Sequence, residues 1–595
     1  MSEGEVFYSV DFETFYSKEI SVTTLGTKRY LEHPETDIYM VSMWGPGVEY
    51  AGSLEDAPWE KIQGHLWVAH NARFDMNVFR QAQEKGQVPK DIAPSKWRDT
   101  TAISAYLQCK RTLEASAEVL LKEKADKRVR TMLCGKKWEN LKDAAKERVT
   151  KYALEDARLC YLLYERFAHE LPEWEWRLAE LTIEQAERGV GMNMSLLEEG
   201  LAAITAHLET ALDGLPWRYD RPIFSRAAIM DQCDLEGIPR PESTAEDNPA
   251  YQEWAAKHPV GFVKSIQEAR TVNKTKKLLE GIKARTKDGV LDFDLKYHGA
   301  TCTGRWAGAG GVNMQNLPKG TNYDVDVRKL LVPRPGNVFV VADLSQIEPR
   351  CLAWCIDDDD FLDYVRGGGD VYEAHARTTM GYDDPRPLKE VDSAMRQLAK
   401  ARVLGLGYQL GAVRFREYAA GFGFDLSSEE AAEVVDDFRS MSPKLTAFWA
   451  KLGEAFTNAS RSDHYLKLDL PSGRSMEYWD VRNETRDDPE GKSYSAIFAT
   501  TERGSDTRRI FHGGKLVENV VQATARDAFG EGILNIESAG HKIIWHVHDE
   551  VIVECPEAQG DEVLKDVIRC LTQDIPWAKG LPLAADGFTC KHYTK

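Results

Sequence analysis

No stretch of this chain approaches the ~20 consecutive apolar residues that a membrane helix needs, and the first residues carry no basic segment leading into an apolar one. A soluble, cytoplasmic protein is therefore expected. Repeats and low-complexity tracts are absent too. Ten cysteines are scattered without a C-x-x-C pair, which argues against a zinc ribbon or a disulfide framework and for reduced core cysteines. Positive charge is also in short supply: 76 Lys and Arg against 95 Asp and Glu leave a formal net charge of −19. Taken alone, that deficit argues against a nucleic-acid partner, because phosphate contacts need cations.

What is present is ample core material. Hydrophobic residues make up 43%, with 15 Trp, 22 Tyr and 21 Phe in 595 residues, enough for about three or four packed domains. The charge is unevenly placed. Eleven Lys/Arg stand against five Asp/Glu between Lys122 and Lys151, and a second basic run, "NKTKKLLEGIKARTK", starts at Asn273. Such runs are usually solvated helix faces; they permit a polyanion partner without demonstrating one.

Acidic residues form two separated sets. In "YSVDFETFYS" (8–17) a run with strand character carries Asp11 and Glu13. Alternate strand residues share a face, so two like charges stand side by side and call for a cation. "VAHNARFDMNVF" (68–79) looks like a strand end, a turn and a helix start with Asp75, and "VTKYALEDARLCYLLYERF" (149–167) is an amphipathic helix with Tyr152 and Asp156 one turn apart. Singly, Asp75 could cap a helix, Asp156 could be an exposed charge and Tyr152 a core edge. Together, D-x-E, N-x-x-F-D and Y-x-x-x-D resemble the DEDD-type 3′→5′ proofreading exonucleases of the tyrosine subclass. That resemblance covers about residues 5–170. It implies an RNase-H-like α/β fold in which Asp11, Glu13, Asp75 and Asp156 bind two divalent cations and Tyr152 orients the attacking water. Hard oxygen ligands suit Mg²⁺ or Mn²⁺.

The second set begins at "VFVVADLSQIEPRCLAW" (338–354), where an apolar strand ends at Asp343 and a polar turn enters a helix. "IIWHVHDEVIVE" (543–554) reads as a hairpin with Asp549 at its tip and Glu550 beside it. A turn aspartate and a hairpin-tip acid pair are the ordinary explanations. As a pair, D-x-S-Q-I-E and H-D-E resemble motifs A and C of family A DNA polymerases. The resemblance implies a right-hand (thumb, palm, fingers) fold with two Mg²⁺ ions at the palm. Its metal ligands are Asp343, Asp549 and Leu344, with Glu550 as an auxiliary acid. "MRQLAKARVLGLGYQLGA" (395–412), if helical, aligns Arg396, Lys400, Leu404 and Tyr408 on one stripe, resembling motif B. By position, Arg396 and Lys400 would contact the triphosphate and Tyr408 would stack near the templating base. Glu348 would exclude a ribose 2′-OH, and Gln346, Leu404 and His548 complete the dNTP set. "TGRW" and "NMQNLP" make Arg305, Asn313, Gln315 and Asn316 candidate DNA contacts. "VQATARD" adds Gln522, and the second basic run adds Lys274, Lys276 and Lys277.

The pattern is departed from at Leu404, where relatives carry Phe or Tyr, at Gln409, a glycine position, and at Glu518, an Asn position. These departures and the compact chain look like a bacteriophage enzyme. The expected organisation is an exonuclease domain at 1–171, a thumb at 172–300 and a first palm part at 301–370. Fingers and connections follow at 371–504 and a second palm part at 505–595, with no 5′-nuclease domain. The expected activity is template-directed DNA synthesis with 3′→5′ proofreading, by a monomer acting on primer-template DNA and dNTPs without a membrane. The alternatives are an exonuclease or DNA-binding accessory protein with an inactive polymerase half, and a single-subunit RNA polymerase. Seven acidic positions across two sets, with Glu348, favour the first reading.

Overall fold

The computed structural model describes residues 5–124, 128–487 and 491–594. Of the Lys122–Lys151 basic run, Ala125, Asp126 and Lys127 lie outside the described residues. The N-terminal part is a five-stranded mixed sheet of order β3-β2-β1-β4-β5, with β1 at Phe7–Thr14, β2 at Ile38–Gly45, β3 at Val48–Gly52, β4 at Leu66–Ala69 and β5 at Lys96–Asp99. β1 runs antiparallel to β2 and parallel to β4. Its even face (Tyr8, Val10, Phe12) enters an aromatic-rich core with Trp59, Trp67 and Phe79. Its odd face carries Ser9, Asp11 and Glu13. α1 (Ala72–Glu84) and the long α2 (Asp143–Phe167) cover the sheet. Ser9 is small, and its hydroxyl donates to the Ala157 carbonyl of α2 at 2.6 Å, which draws that helix close to the carboxylates of β1.

α3 (Glu173–Arg188) leads out of this layer and ends where Gly189 adopts φ 61°. The next section is mostly helical, as expected. α4 (Met194–Asp213) packs along α5 (Gly261–Arg285), and both bury their apolar stripes in one core with the following sheet. β6 (Asp294–Lys296) pairs with β7 (Ala307–Ala309).

A four-stranded antiparallel sheet then forms the floor of the second half. β8 (Asn337–Leu344) lies at its centre and leads into α6 (Ile347–Cys355); the other strands come from the C-terminal part of the chain. Between them come α7 (Val371–Thr379) and α8 (Ser393–Ala401). One finding differs from the sequence reading. The 395–412 stripe is not one α-helix: after Ala401 it widens into a π-turn at Arg402–Leu406, and Tyr408 lies beyond it. Gly405 and Gly407 sit in this stretch, and a Cβ on Gly405 would meet the Tyr418 ring at 3.0 Å. The 371–504 interval holds a sheet as well as helices. From Tyr465 it forms an antiparallel sheet centred on β9 (Ser475–Asp487) and β10 (Ser493–Thr500), where alternation such as "SMEYWDV" sets a period of two.

α9 (Gly513–Ser538), almost wholly buried along its length, backs the palm-like floor. β11 (Ile543–Val547) and β12 (Glu550–Pro556) form the expected hairpin, and β13 (Ala585–Cys590) closes the sheet in the order β11-β12-β8-β13. All ten cysteines are free. No helix among the described residues is long and apolar enough to cross a membrane.

Candidate active sites

The first site forms where β1 meets α1 and α2. Asn71 takes a left-handed φ of 79° and starts α1, so Asp75 falls in the first helical turn. There its Oδ1 accepts the Phe12 N–H at 3.1 Å, pinning it between Asp11 and Glu13. Asp156, on α2 beside the Ala157 contact of Ser9, completes the quartet. Burial is the largest influence on all four carboxyls and pushes them up. Asp11 is raised well above its usual range by burial and by Asp75, Glu13 and Asp156. Asp75 is also raised well, chiefly by burial, although the Phe12 N–H opposes this. Glu13 is pushed to about 7 by burial and by Asp156. Asp156 also reaches about 7 through burial, with the Tyr152 hydroxyl one turn away partly offsetting it. The structure thus brings together all five residues that the sequence nominated here.

These residues suit a divalent cation. The donors are all hard oxygens, their mutual repulsion needs positive charge, and the buried Asp156 Oδ1 has no hydrogen-bond partner among the described residues. As placed in the ion-free chain, no group of three or more His, Cys, Asp or Glu among the described residues is arranged to hold a metal ion. Sequence reasoning missed Arg130, a cation whose field opposes the upward shifts of Asp11, Glu13 and Asp156. It also missed Arg73. Two residues before Asp75, its guanidinium is buried and pairs with Glu187 at 2.9 Å, Asp292 at 2.5 Å and Asp294. Arg73 thereby clamps α1 to the end of α3 and to the start of β6.

The second site sits at the end of the floor sheet. Asp343 pairs in register with Glu550 on β12 and with Asp586 on β13. Residues directly opposite share a face, so three carboxylates form a row across adjacent strands; Asp586 was not nominated from sequence. The His548-Asp549 turn has His548 at φ 55°, and the Asp549 carbonyl accepts the Leu344 N–H at 3.1 Å, bringing the hairpin tip to the end of β8. Gln315 is 6% exposed, and its amide is spent on that hairpin. It donates to the His546 carbonyl at 2.7 Å and accepts the His548 N–H at 3.0 Å. In this geometry Gln315 braces the turn, whereas Asn313 and Asn316 are exposed.

The remaining residues fall into smaller linked groups. The Tyr408 hydroxyl donates to Glu348 at 3.3 Å, and Arg305 lies 3.6 Å from the other Glu348 oxygen. Burial raises Glu348 while Arg305 opposes the rise; burial and Arg305 together lower His548. Arg396 pairs with Asp370 at 2.9 Å, and the Gln346 amide reaches the same Asp370 oxygen at 3.4 Å. Arg396 and Lys400 both lie near the Tyr372 ring, at 5.3 and 5.9 Å. Asp370 caps α7; the signal in sequence was an Asp before a helix, which is too common to single out. Leu404 falls inside the π-turn. Gln409 has φ 68°, and its side chain accepts the Gly514 N–H at 2.9 Å, joining the π-turn region to the start of α9. Gln522 reaches Glu518 at 3.4 Å. The lysines of α5 lie apart from the carboxylate row: Lys274 pairs with Glu246 at 2.7 Å, Lys276 lies 4.0 Å from Glu280, and Lys277 is exposed.

Comparison with known proteins finds two families along the chain. A family model described as DNA polymerase family A matches residues 240–595, and one described as 3′-5′ exonuclease matches 61–172. A DNA polymerase of Bacillus phage SP02 is 27% identical over 99% of this chain and 99% of its own. DNA polymerase I of Aquifex aeolicus is 28% identical over 52% of this chain and 46% of its own. Among solved structures, the POL domain of Pol1 from M. smegmatis in complex with DNA primer-template and dNTP has a TM-score of 0.67 at 17% identity. It covers 99% of this chain and 95% of that one, and what it shares is the fold.

Proposed function

Because the chain belongs to DNA polymerase family A and carries a 3′–5′ exonuclease domain, we propose that its two carboxylate sites divide one task, synthesis and correction. The protein is a template-directed DNA polymerase. The observation that carries the division of labour is the presence of two carboxylate sets on two separate sheets, one at β1 and its covering helices and one across β8, β12 and β13.

At the synthetic site, Asp343 and Asp549, with the Leu344 carbonyl, would hold two Mg²⁺ or Mn²⁺ ions. When bound, such ions neutralise phosphoryl charge and make the primer 3′-OH a better nucleophile. The chain's own residues do the rest. Arg396 and Lys400 face the triphosphate, and Arg396 exchanges its Asp370 partner for phosphate oxygens. Tyr408 offers a stacking plane beside the templating base and holds Glu348 where a ribose 2′-OH would clash. Gln346, Leu404 and His548 line the nucleotide, while Gln315 keeps His548 and Asp549 in place. Arg305, Asn313, Asn316 and Gln522 contact the duplex near the primer end. Lys274, Lys276 and Lys277 grip the backbone without reading sequence.

At the correcting site, Asp11, Glu13, Asp75 and Asp156 would hold a second pair of ions. Tyr152, locked next to Asp156, orients the water that attacks the terminal phosphodiester. We take the protein to act as a monomer in the cytoplasm, that of a host cell for a phage enzyme. An accessory protein with a silent polymerase half is disfavoured by the contact that brings Asp549 to the end of β8.

The test is a labelled primer on a longer template with Mg²⁺. Extension is expected with dNTPs and 3′ shortening without them. Asp11→Ala should abolish shortening by about three orders of magnitude and spare extension, and Asp343→Ala the reverse. Extension by Asp343→Ala at the parental rate would show the palm assignment to be wrong.

A further inference from the structure

The C-terminal tail after β13 returns to the synthetic site. Tyr593 is 2% exposed, and its hydroxyl donates to Glu550 Oε1 at 2.7 Å; Glu550 is itself 2% exposed. The ring is fixed from several sides. Trp545 meets it edge-on with centroids 5.2 Å apart, the Arg328 guanidinium lies 5.3 Å from its centroid, and the Tyr593 N–H donates to the Leu331 carbonyl at 2.9 Å. A phenol held this way is a pre-set donor rather than a side chain that happens to reach. Burial and the Glu550 charge push the phenol far above its usual range, so it keeps its proton at every working pH.

Glu550 is the partner that gives this contact consequence. It follows Asp549 directly and stands opposite Asp343 in strand register, on the same face. A glutamate has three side-chain torsions, and a hydrogen bond to one oxygen removes most of that freedom.

We propose that Tyr593 is a positioning residue for nucleotidyl transfer, acting through Glu550 to fix the negative charge beside Asp343 and Asp549. The inference rests on the palm reading above and extends it to a residue in the tail, which no motif nominated. Tyr593 touches neither the nucleotide nor the primer. Its work is to present one carboxylate in one orientation, so its loss falls on turnover rather than on binding.

The experiment uses the full chain with Tyr593→Phe, which keeps the ring and removes only the hydroxyl. Single-nucleotide addition is expected to slow about tenfold in kcat. KM for the dNTP, primer-template affinity measured by anisotropy in EDTA, and shortening of a single-stranded oligonucleotide should all stay within about twofold. The double variant Tyr593→Phe/Glu550→Gln should be no slower than Glu550→Gln alone, because the tyrosine has then lost its object. Additive losses in the double variant would overturn the proposal, and so would equal losses of extension and shortening with a lowered melting midpoint. If Glu550→Gln slows extension but Tyr593→Phe does not, the inference fails while the palm reading stands. If Glu550→Gln itself extends at the parental rate, that reading of Glu550 fails as well.

Discussion

Two groups of buried acids in this molecule have opposite electrostatics. At the junction between the halves, Glu175 of α3 is fully buried. Burial alone would raise its pKa. Arg526 at 2.5 Å and His298 override that and hold it well below the usual carboxylate range. Arg474 joins through Asp527 at 3.0 Å, and the Tyr297 hydroxyl donates to Glu175 at 2.7 Å. In the correcting site, by contrast, acids face acids, and the pKa values of Asp11, Glu13, Asp75 and Asp156 all rise. Both sets are acids packed inside protein. What separates them, among the described residues, is whether the chain pairs its own cation directly with the acids. Where it does, the acid is structural; where it does not, the site is prepared for a cation from outside.

The comparison breaks most visibly at Glu175. Replacing Glu175 with Gln leaves Arg526 buried with only Asp527 at 3.1 Å. The expected cost is about 3–5 kcal/mol of stability, seen as an earlier denaturation midpoint, with extension and shortening lost together as the junction loosens. An apolar replacement of the pair, Glu175→Leu with Arg526→Met, should cost less than the single change. If Glu175→Gln melts with the parent, the junction is not an internally neutralised cluster.

A smaller effect of opposite sign is expected in the correcting site. Glu13 and Asp156 rise from 4.5 and 3.8 to about 7 in the folded chain. The metal-free fold therefore binds protons more tightly than the unfolded chain does. The stability this contributes is complete below about pH 4 and lost as pH rises through about 7. In EDTA, Glu13→Gln/Asp156→Asn should be more stable than the parent at pH 8, by about 1–3 kcal/mol. The advantage should shrink towards pH 4, and Mg²⁺ should stabilise the parent but not the variant. A pH-independent difference between the two would contradict the unpaired-acid picture.

Much of this was legible because the relevant patterns are local. The alternation in "VDFET" places Asp11 and Glu13 on one face, and the run from Val149 to Phe167 has a helical period. The strand pair around His548 and Asp549 is marked by alternating apolar residues. The roles came from motif resemblance, since spacing alone leaves each acid with an ordinary explanation. What escaped was non-local. Arg73 looks like any helix arginine until Asp292 and Asp294, more than two hundred positions away, close on it. Gln315 resembled a DNA contact because nothing in its own segment shows the hairpin that it braces. The π-turn at Arg402 follows a regular helical run with no break in the pattern to mark it, and the packing of Gly405 against Tyr418 is not visible in that run.

The smallest effect concerns Arg130, a cation that the chain brings near the correcting site. Arg130 is exposed on the short helix Arg128–Leu133, which is anchored by buried Val129 and Leu133 and by the Tyr16 hydroxyl donating to the Arg130 carbonyl at 2.5 Å. Its charge holds down Asp11, Glu13 and Asp156, though less strongly than burial raises them. An exposed charge acts through solvent and is screened by salt. Arg130→Gln should therefore slow shortening only about three- to tenfold at low ionic strength, and less as salt rises. The acid limb of the shortening pH profile should move towards higher pH, because the carboxylates hold their protons more tightly. Arg130→Lys should restore most of the rate, and extension should not change. Shortening by Arg130→Gln at the parental rate with an unmoved profile would mean that the quartet depends on cations from outside alone, which would sharpen its contrast with the self-neutralised junction.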